Sequence, residues 1–213
     1  MSHYAQLLKL IRSRRSVRRF SNRAVSREDM VRLLEAARWA PSNHNRQPWR
    51  FIIIEDNKQI SQLAETVSQG LSEKLKSLPE VAARYISQFK QNATFFANAP
   101  VLVVVLHKQP VSVSAPVLAG LKNPDLVSGE PLSVAMAVQN FLLSAQALGL
   151  GTCVLTGPLL AQDVLVGVLG LPAGHDLTCL VALGYPAESP APPRRKTIEQ
   201  IAEFRNKSRR TKH

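Results

Sequence analysis

Arginines are concentrated in one short stretch near the start of the chain, where their chemistry suits a phosphate group. Residues 14–20, here called the basic segment, read Arg-Arg-Ser-Val-Arg-Arg-Phe, so four arginines accompany a single serine. A guanidinium is a planar fork of donors that binds phosphate through paired, charge-assisted hydrogen bonds. The same run is also typical of a solvated basic face or of nonspecific contact with DNA. The residues alone leave these interpretations open.

A second stretch with chemical potential is the polar loop, residues 40–48, which is rich in amides and bracketed by two prolines. Pro41 and Pro48 fix their own φ and push the preceding residue out of the α region. We therefore predict a stiff turn between a helix that ends near Trp39 and a strand that begins near Trp49. The loop side chains that donate and accept hydrogen bonds are Ser42, Asn43, Asn45 and Gln47. Ligand sites are common on such loops, and an ordinary helix-to-strand connection is the alternative.

Composition indicates a globular chain that forms one domain. It has 213 residues, of which 45% are hydrophobic, so a sizeable core is available. Cys153 and Cys179 both lie in apolar runs, which predicts buried thiols in a reducing compartment and hence a cytoplasmic protein. The sequence contains no CxxC motif or Cys/His cluster, so we expect no metal site. Apolar runs end well short of the roughly 20 residues that span a bilayer, so we expect no membrane association.

The net charge of +12 raises a nucleic-acid-binding alternative, but the charge is concentrated at the two ends. Residues 1–27 and 190–213 together hold sixteen of the 27 basic residues. The acid-free N-terminus faintly resembles a transit peptide, yet it continues into patterned sequence without a cleavage-like break. We predict a folded domain over residues 1–204 and a disordered basic tail over residues 205–213.

The spacing of apolar residues predicts helices and strands that alternate irregularly. Helices are predicted over residues 4–11, 26–39, 57–78, 79–90, 132–148 and 161–169. Ser26 is predicted to cap the second helix and Asn57 the third. The predicted buried face of the second helix consists of Met30, Leu33, Leu34 and Ala37. Strands are predicted over residues 49–55, 99–106, 152–155 and 176–184. Residues 52–54, all isoleucine, are too apolar for an exposed edge strand, and the helix over residues 132–148 is apolar nearly all round. Together these elements indicate a layered α+β or α/β domain with helices covering a mixed sheet.

Two segments lack any such periodicity. Residues 107–129 are rich in Pro, Ser, Gly and Asn, which predicts a long loop acting as a mobile flap near the ligand site. Residues 185–193, here called the Pro-rich arm, are predicted to be extended and to reach away from the domain. A basic cluster follows the arm, made of Arg194, Arg195 and Lys196. The first strand is not followed by GxGxxG, so a Rossmann dinucleotide site has no support.

Five separated motifs, taken in order, resemble those of the FMN-dependent nitroreductase family. They are the basic segment, the polar loop, Ala99-Pro100 before an apolar strand, Gln139-Asn140 leading to Gly149-Leu-Gly-Thr152, and Gly184-Tyr-Pro186 before the basic cluster. The resemblance covers residues 8–204 and implies a three-layer α/β/α fold of the α+β class, with a mixed, largely antiparallel sheet flanked by helices. It also implies a homodimer with FMN at the subunit interface and a C-terminal arm that extends onto the other subunit. The implied reaction is ping-pong hydride transfer from NADH or NADPH through FMN to a nitroaromatic, a quinone or a related electron-poor acceptor.

The resemblance further implies which residues would meet the cofactor. The residues implied for its phosphate and ribityl end are Arg14, Arg15, Ser16 and either Arg194 or Arg195. Arg18 would lie near N1 and O2 of the flavin, where a fixed positive charge favours the reduced form. The residues implied to reach the FMN of the partner subunit are Pro41, Ser42, Asn43 and Asn45. The residues implied to line the isoalloxazine are Val154, Leu155, Thr156 and Gly157. The Gly157 backbone N–H would lie near N5, and no side chain is expected to act catalytically.

The sequence departs from the family pattern at residues 91–94, which read Gln-Asn-Ala-Thr. Well-known members carry an Asn and a Lys there that contact the flavin ring, and the resemblance does not supply those contacts in this chain. A flavin-fragmenting or a dehalogenating member of the same superfamily is the alternative within enzymes. A basic nucleic-acid-binding protein is the alternative outside them.

Overall fold

A computed structural model describes residues 2–109 and 129–205 of the chain. Its helices are α1 (His3–Ser13), α2 (Arg27–Arg38), α3 (Asn57–Leu75), α4 (Ala83–Thr94), α5 (Gly129–Ala147) and α6 (Gln162–Leu169). Its strands are β1 (Trp49–Ile54), β2 (Val101–Lys108), β3 (Gly151–Leu155) and β4 (His175–Gly184). Short 3-10 helices span Asn43–Asn45, Glu80–Ala82, Phe95–Asn98 and Gly157–Ala161. Residues 110–128 of the predicted flap and residues 206–213 of the predicted tail lie outside the described residues.

The four strands form one antiparallel sheet in the order β1-β2-β4-β3. The central strand β2 is buried over residues 101–106 because helices cover both of its faces. The side chains that pack towards α2 and α5 are Val101, Val103 and Val105. Those that pack towards α3 are Leu102, Val104 and Leu106. This arrangement has three layers, α/β/α, and confirms the predicted α+β fold class.

The predicted place of β1 away from an edge of the sheet is wrong. β1 is an outer strand and pairs with β2 alone among the described strands. Its two faces are nevertheless covered, since Phe51 and Ile53 pack against the α2–α5 layer while Ile52 and Ile54 pack on the α3 side. The apolar composition of β1 therefore shows that both of its faces are covered. It does not show whether the strand is central or at the edge of the sheet.

Helices α2 and α5 pack together on one face of the sheet. Ser26 caps α2 as predicted, because its hydroxyl accepts a hydrogen bond from the Asp29 backbone N–H at 3.0 Å. Asn140 of α5 donates through Nδ2 to the Ala36 carbonyl oxygen at 3.2 Å. The half-buried Asn140 amide therefore ties the two helices together.

Helix α5, predicted to be apolar nearly all round, has faces that differ in exposure. Ala137 is completely buried in the core between α2 and the sheet. Leu132 and Met136, one turn apart, are 60% and 40% exposed. One face of α5 thus completes the core of its own subunit, and another offers a small apolar surface. Within the described residues, no helix is both long enough and apolar enough to cross a bilayer.

The helical hairpin of α3 and α4 differs from the prediction at its boundaries. Asp56, not Asn57, caps α3, and its side chain accepts from the Lys58 backbone N–H at 2.8 Å. Aspartate and asparagine are equally good caps, so the sequence alone does not choose between neighbours. α3 ends at Leu75, and α4 continues to Thr94 before the chain turns into β2.

The two cysteines are buried, free thiols in neighbouring strands, as predicted. Burial raises the pKa of the Cys179 thiol in β4 to about 12, from an ordinary value of 9.0. Burial also raises the pKa of the Cys153 thiol in β3. Both thiols therefore stay protonated at neutral pH and are poor nucleophiles there.

We expect Cys179 to make the protein less stable in alkali. Between pH 9 and about 12 the unfolded thiol loses a proton that the folded thiol keeps, so the free energy of unfolding falls as pH rises. The slope for one such group approaches about 1.4 kcal/mol per pH unit. Urea unfolding of wild type and Cys179→Ala at several pH values from 8 to 11 measures it, and the variant should show the shallower decline. Parallel curves for the two proteins would contradict the assignment.

Candidate functional site

The basic segment lies along the outer edge of the sheet, next to β3. The Val17 N–H donates to the Thr152 carbonyl oxygen at 2.9 Å, and a parallel bridge joins Ser16 to Thr152. Gly151 permits this close approach, because a Cβ there would lie 2.9 Å from the Val17 side chain. Val17 is buried, whereas the neighbouring Arg18 is exposed. The segment is therefore fixed by its backbone and by one valine, while Arg14 and Arg15 are half-buried and Arg18 and Arg19 are exposed.

The prediction that the Pro-rich arm reaches away from the domain is wrong for the arm within this chain, because its start runs antiparallel to the end of the basic segment. The Ser21 N–H donates to the Tyr185 carbonyl oxygen at 2.9 Å, and the Ala187 N–H donates to the Arg19 carbonyl oxygen at 2.8 Å. The Arg23 guanidinium lies 3.9 Å from the centre of the Tyr185 ring, a distance suited to a cation–π contact. Two stretches that are about 170 residues apart in sequence thus form one surface.

A cavity of about 260 Å³ lies between the basic segment and the arm. We call it the arginine cavity, and its lining residues are Arg14, Arg15, Ser16, Arg18, Pro190, Ala191, Pro193 and Arg195. All four charged lining residues are arginines. Of the two alternatives in the basic cluster, Arg195 lines the cavity and Arg194 is not among its lining residues. The structure therefore brings together five of the residues that sequence analysis assigned to a phosphate or to the flavin ring.

The hydrogen bonds of these arginines leave donors free for a ligand. Arg15 donates through Nη1 to the carbonyl oxygens of Arg12 and Arg14, at 2.6 and 2.8 Å. Its Nε is buried and has no hydrogen-bond partner among the described residues. Within the described part of the chain, the Arg18 side chain makes one long hydrogen bond, 3.5 Å from Nη1 to the Ser16 carbonyl oxygen. Its guanidinium lies 5.9 Å from the centre of the Phe95 ring. A phosphate fits this donor set, because it would accept from several guanidinium groups and one hydroxyl.

Cys153 neighbours the arginine cavity, a position that sequence analysis did not foresee. Burial is the largest influence on its thiol and raises the pKa. The charge of Arg18, a hydrogen bond with Ser16 and the charge of Arg14 lower that pKa in part, while the charge of Glu188 raises it. Cys153 therefore lies within electrostatic reach of both walls of the cavity. Cys153 lies there because Ser16 pairs with Thr152, its neighbour in the chain. This long-range pairing has no signal in the local sequence.

The chain leaves β3 at the far end of the same sheet edge. Val154 is 38% exposed and Thr156 is exposed, whereas Leu155 is buried in the core on the α3 side. Gly157 begins a 3-10 helix against α4, and a Cβ there would lie 3.2 Å from the Cβ of Ala93. Of the four residues predicted to line a flavin ring, Leu155 has a buried side chain, so only its backbone groups could face a ligand. Gly157 lies where a side chain would crowd α4.

The polar loop is anchored to the start of α5. The Asn43 N–H donates to Oγ of Ser133 at 3.2 Å. Arg46 Nη1 lies 3.1 Å from Oε1 of Glu130, a carboxylate whose side chain is only 5% exposed in the first turn of α5. The exposed members of the predicted site in this loop are Pro41, Asn43 and Asn45. None of the loop residues lines the arginine cavity of the same chain, so their role towards a second subunit stays a prediction.

The backbone of the polar loop is strained. His44, Asn45 and Gln47 have φ values of 50°, 52° and 47°, in the left-handed region that usually requires glycine. Each such residue costs about 1–2 kcal/mol. The Ser42 hydroxyl accepts from the Gln47 backbone N–H at 3.0 Å and closes the turn. Strain of this kind persists only where the surroundings hold the backbone firmly, and it is concentrated at functional sites.

The chain is similar to known proteins in both sequence and fold. The sequence matches the Nitroreductase family over residues 11–185. A provisionally named NADH dehydrogenase/NAD(P)H nitroreductase of Archaeoglobus fulgidus is 30% identical over 186 residues, which cover 86% of this chain and 87% of that protein. The crystal structure of a BluB-like flavoprotein from Clostridium difficile 630 has a TM-score of 0.84 and 31% identity, covering 94% of this chain and 99% of the other. That of oxidized iodotyrosine deiodinase bound to FMN and 3-iodo-L-tyrosine has a TM-score of 0.71 and 26% identity, covering 93% and 100%.

The three-layer architecture, together with the sequence match and the structural similarity, defines a protein of the nitroreductase fold. The chain belongs to the nitroreductase family, since the family match covers most of its length. The resemblance inferred from the five motifs is thereby confirmed.

Proposed function

We propose that this chain is an FMN-dependent oxidoreductase that uses NADH or NADPH to reduce a nitroaromatic, a quinone or a related electron-poor acceptor. The observation that carries the proposal is the arginine cavity, which the two ends of the chain build together from four guanidinium groups and a hydroxyl. A similar structure holds FMN, which supports the choice of cofactor. The relative from Archaeoglobus fulgidus supports the choice of a nicotinamide co-substrate.

In this proposal each residue of the cavity has a separate task. Arg14, Arg15, Ser16 and Arg195 bind the phosphate and the adjoining ribityl chain, with the free Nε of Arg15 as one donor. Arg18 supplies positive charge beside the flavin ring, because its guanidinium makes only one long hydrogen bond within the described residues. The chemistry supplied by bound FMN is the exchange of reducing equivalents between NADH or NADPH and the acceptor, in two separate encounters.

The end of β3 forms the ring-binding part of the proposed site. Val154 and Thr156 present exposed side chains there, and Leu155 contributes backbone groups. Gly157 donates its backbone N–H towards the ring edge, since no Cβ stands in the way. These residues orient the ring and exclude water from one side of it.

We further propose that the active unit is a cytoplasmic homodimer in which Pro41, Ser42, Asn43 and Asn45 reach the FMN of the other subunit. Exposed apolar residues on α1 and α5 support an interface, among them Tyr4, Leu7, Ile11, Leu132 and Met136. These two helices pack against each other, so one interface could cover both. Light scattering of the purified protein tests the assembly. A monomeric mass together with one tightly bound FMN per chain would refute the shared site.

FMN binding should depend on the cavity arginines one by one. We expect Arg14→Ala and Arg195→Ala each to raise the Kd for FMN about 10- to 100-fold, because each loses charge-assisted hydrogen bonds worth roughly 1.5–3 kcal/mol. Arg19→Ala is the matched control, since this arginine belongs to the same segment and does not line the cavity. Fluorescence titration of all four proteins with FMN and with riboflavin measures the effect, which should be confined to FMN. Absence of FMN binding by the wild-type protein would refute the proposed function.

Reductive dehalogenation is a second candidate, favoured by the similarity to a deiodinase bound to 3-iodo-L-tyrosine. Assays of the FMN-loaded protein with NADH or NADPH and either a nitroaromatic or 3-iodo-L-tyrosine separate the two reactions. Release of iodide without nitroaromatic turnover would replace the first proposal by the second. The absorbance of the flavin during turnover tests the third possibility, because a flavin-fragmenting enzyme would consume it.

A further inference from the structure

One carboxylate joins the Pro-rich arm to the basic segment. Oε1 of Glu188 accepts hydrogen bonds from the backbone N–H groups of Arg18, at 2.6 Å, and Arg19, at 3.1 Å. Hydrogen bonds from backbone N–H groups to a carboxylate are charge-assisted and stronger than those between neutral groups. Glu188 follows Arg18 and Arg19 by about 170 positions in the sequence, so this contact fixes two distant parts of the chain to each other.

The arm beyond Glu188 has few other means of attachment. The last backbone hydrogen bond to the basic segment comes from Ala187, one residue earlier. Residues 189–195 read Ser-Pro-Ala-Pro-Pro-Arg-Arg, and the three prolines carry no N–H to donate. Yet Pro190, Ala191, Pro193 and Arg195 form one wall of the arginine cavity. The Glu188 carboxylate is therefore the attachment from which that wall extends.

We propose that Glu188 is a positioning residue that holds the arm closed over the arginine cavity and so sets the affinity for the phosphate end of the cofactor. The inference rests on the proposed function, because it takes the cavity to be the phosphate site. Two opposing effects of the carboxylate decide its net influence. Its negative charge repels a phosphate, whereas its hydrogen bonds keep the arm and Arg195 in place. The two backbone N–H groups and the surrounding arginines offset the charge, so the positioning effect dominates.

The test compares Glu188→Ala and Glu188→Gln with wild type. Alanine removes the acceptor, and glutamine keeps a neutral acceptor of the same length. Glu203→Ala is the matched control, because its carboxylate also lies near the C-terminus and contacts Arg205 instead of the basic segment. Fluorescence titration gives the Kd for FMN and for riboflavin. Amide hydrogen exchange of the peptide containing Arg18 and Arg19, measured without ligand, reports on the two hydrogen bonds from these N–H groups to Glu188, here called the latch.

We expect Glu188→Ala to raise the Kd for FMN about tenfold, with glutamine intermediate and riboflavin binding unchanged. Exchange at the Arg18 and Arg19 amides should quicken about tenfold in Glu188→Ala and stay at the wild-type rate in Glu203→Ala. Tighter FMN binding by Glu188→Gln would overturn the proposal, since it would show that charge repulsion dominates. Unchanged exchange in Glu188→Ala would overturn it too. If wild type binds no FMN, the proposed function fails while the exchange data still decide whether the latch exists.

Discussion

Ala137→Glu should unfold the subunit, with a loss of at least about 4 kcal/mol in the free energy of unfolding. Ala137 has no exposed surface and lies where α5 meets α2 and the valines of β2. A glutamate there would bring a carboxylate into the core with no cation to pair it, and its bulk would separate the helices from the sheet. Urea unfolding followed by circular dichroism measures the change.

Ala83→Glu is the control for that experiment, since Ala83 is exposed in the first turn of α4 and is not part of the proposed interface. Surface substitutions of this kind usually change stability by less than about 0.5 kcal/mol. Because Ala137 belongs to the core of its own subunit, its substitution reports on folding before it reports on any dimer. A folded, stable Ala137→Glu protein would show that α5 does not pack as the structure describes.

Arg46→Ala should destabilise the protein by about 2–3 kcal/mol and release the polar loop. Its guanidinium is the hydrogen-bond partner of Glu130, whose side chain is 5% exposed, while Arg46 itself is half-exposed at 51%. Removing one partner of a buried ion pair costs about 3–5 kcal/mol, and we reduce that figure because water reaches the arginine and the helix dipole favours Glu130.

A double-mutant cycle tests this pair. Arg46→Ala leaves the buried Glu130 carboxylate without its partner, and Glu130→Gln removes that charge. The double variant should therefore recover more than half of the stability that Arg46→Ala loses. Thermal unfolding of the four proteins gives the coupling energy. Additive losses would show that the two side chains act independently, contrary to the 3.1 Å contact.

Features that depend on a few neighbouring residues could be predicted from the sequence. The basic segment was a candidate phosphate site because four arginines and a serine are close together, and four of these five residues line the arginine cavity. The cap at Ser26 and the apolar face of α2 follow from spacing within one helix, and both are confirmed. The polar loop was delimited correctly by its two prolines. Each of these signals is local, so no knowledge of the fold was needed to read it.

Features that depend on long-range pairing could not be predicted. The order β1-β2-β4-β3 places β1 at an edge, although its composition resembles that of a central strand. Ala137 looks like a surface residue of an all-apolar helix until α2 and the sheet are placed beside it. Glu188 gave no signal at all, because its partners are backbone N–H groups about 170 residues away and have no side-chain identity to detect.

The strand order also dictates how the chain must behave while it is being made. β2 pairs with β1 early, but its other neighbour is β4, and 76 residues separate Lys108 from Gly184. At synthesis rates of about 5–20 residues per second, that interval lasts roughly 4–15 s. During it, one edge of a strand made almost wholly of valine and leucine has no partner on the nascent chain, which exposes it to aggregation and to capture by chaperones. The basic segment precedes all four strands and must wait longer than β2, since its own partner, the Pro-rich arm, follows β4.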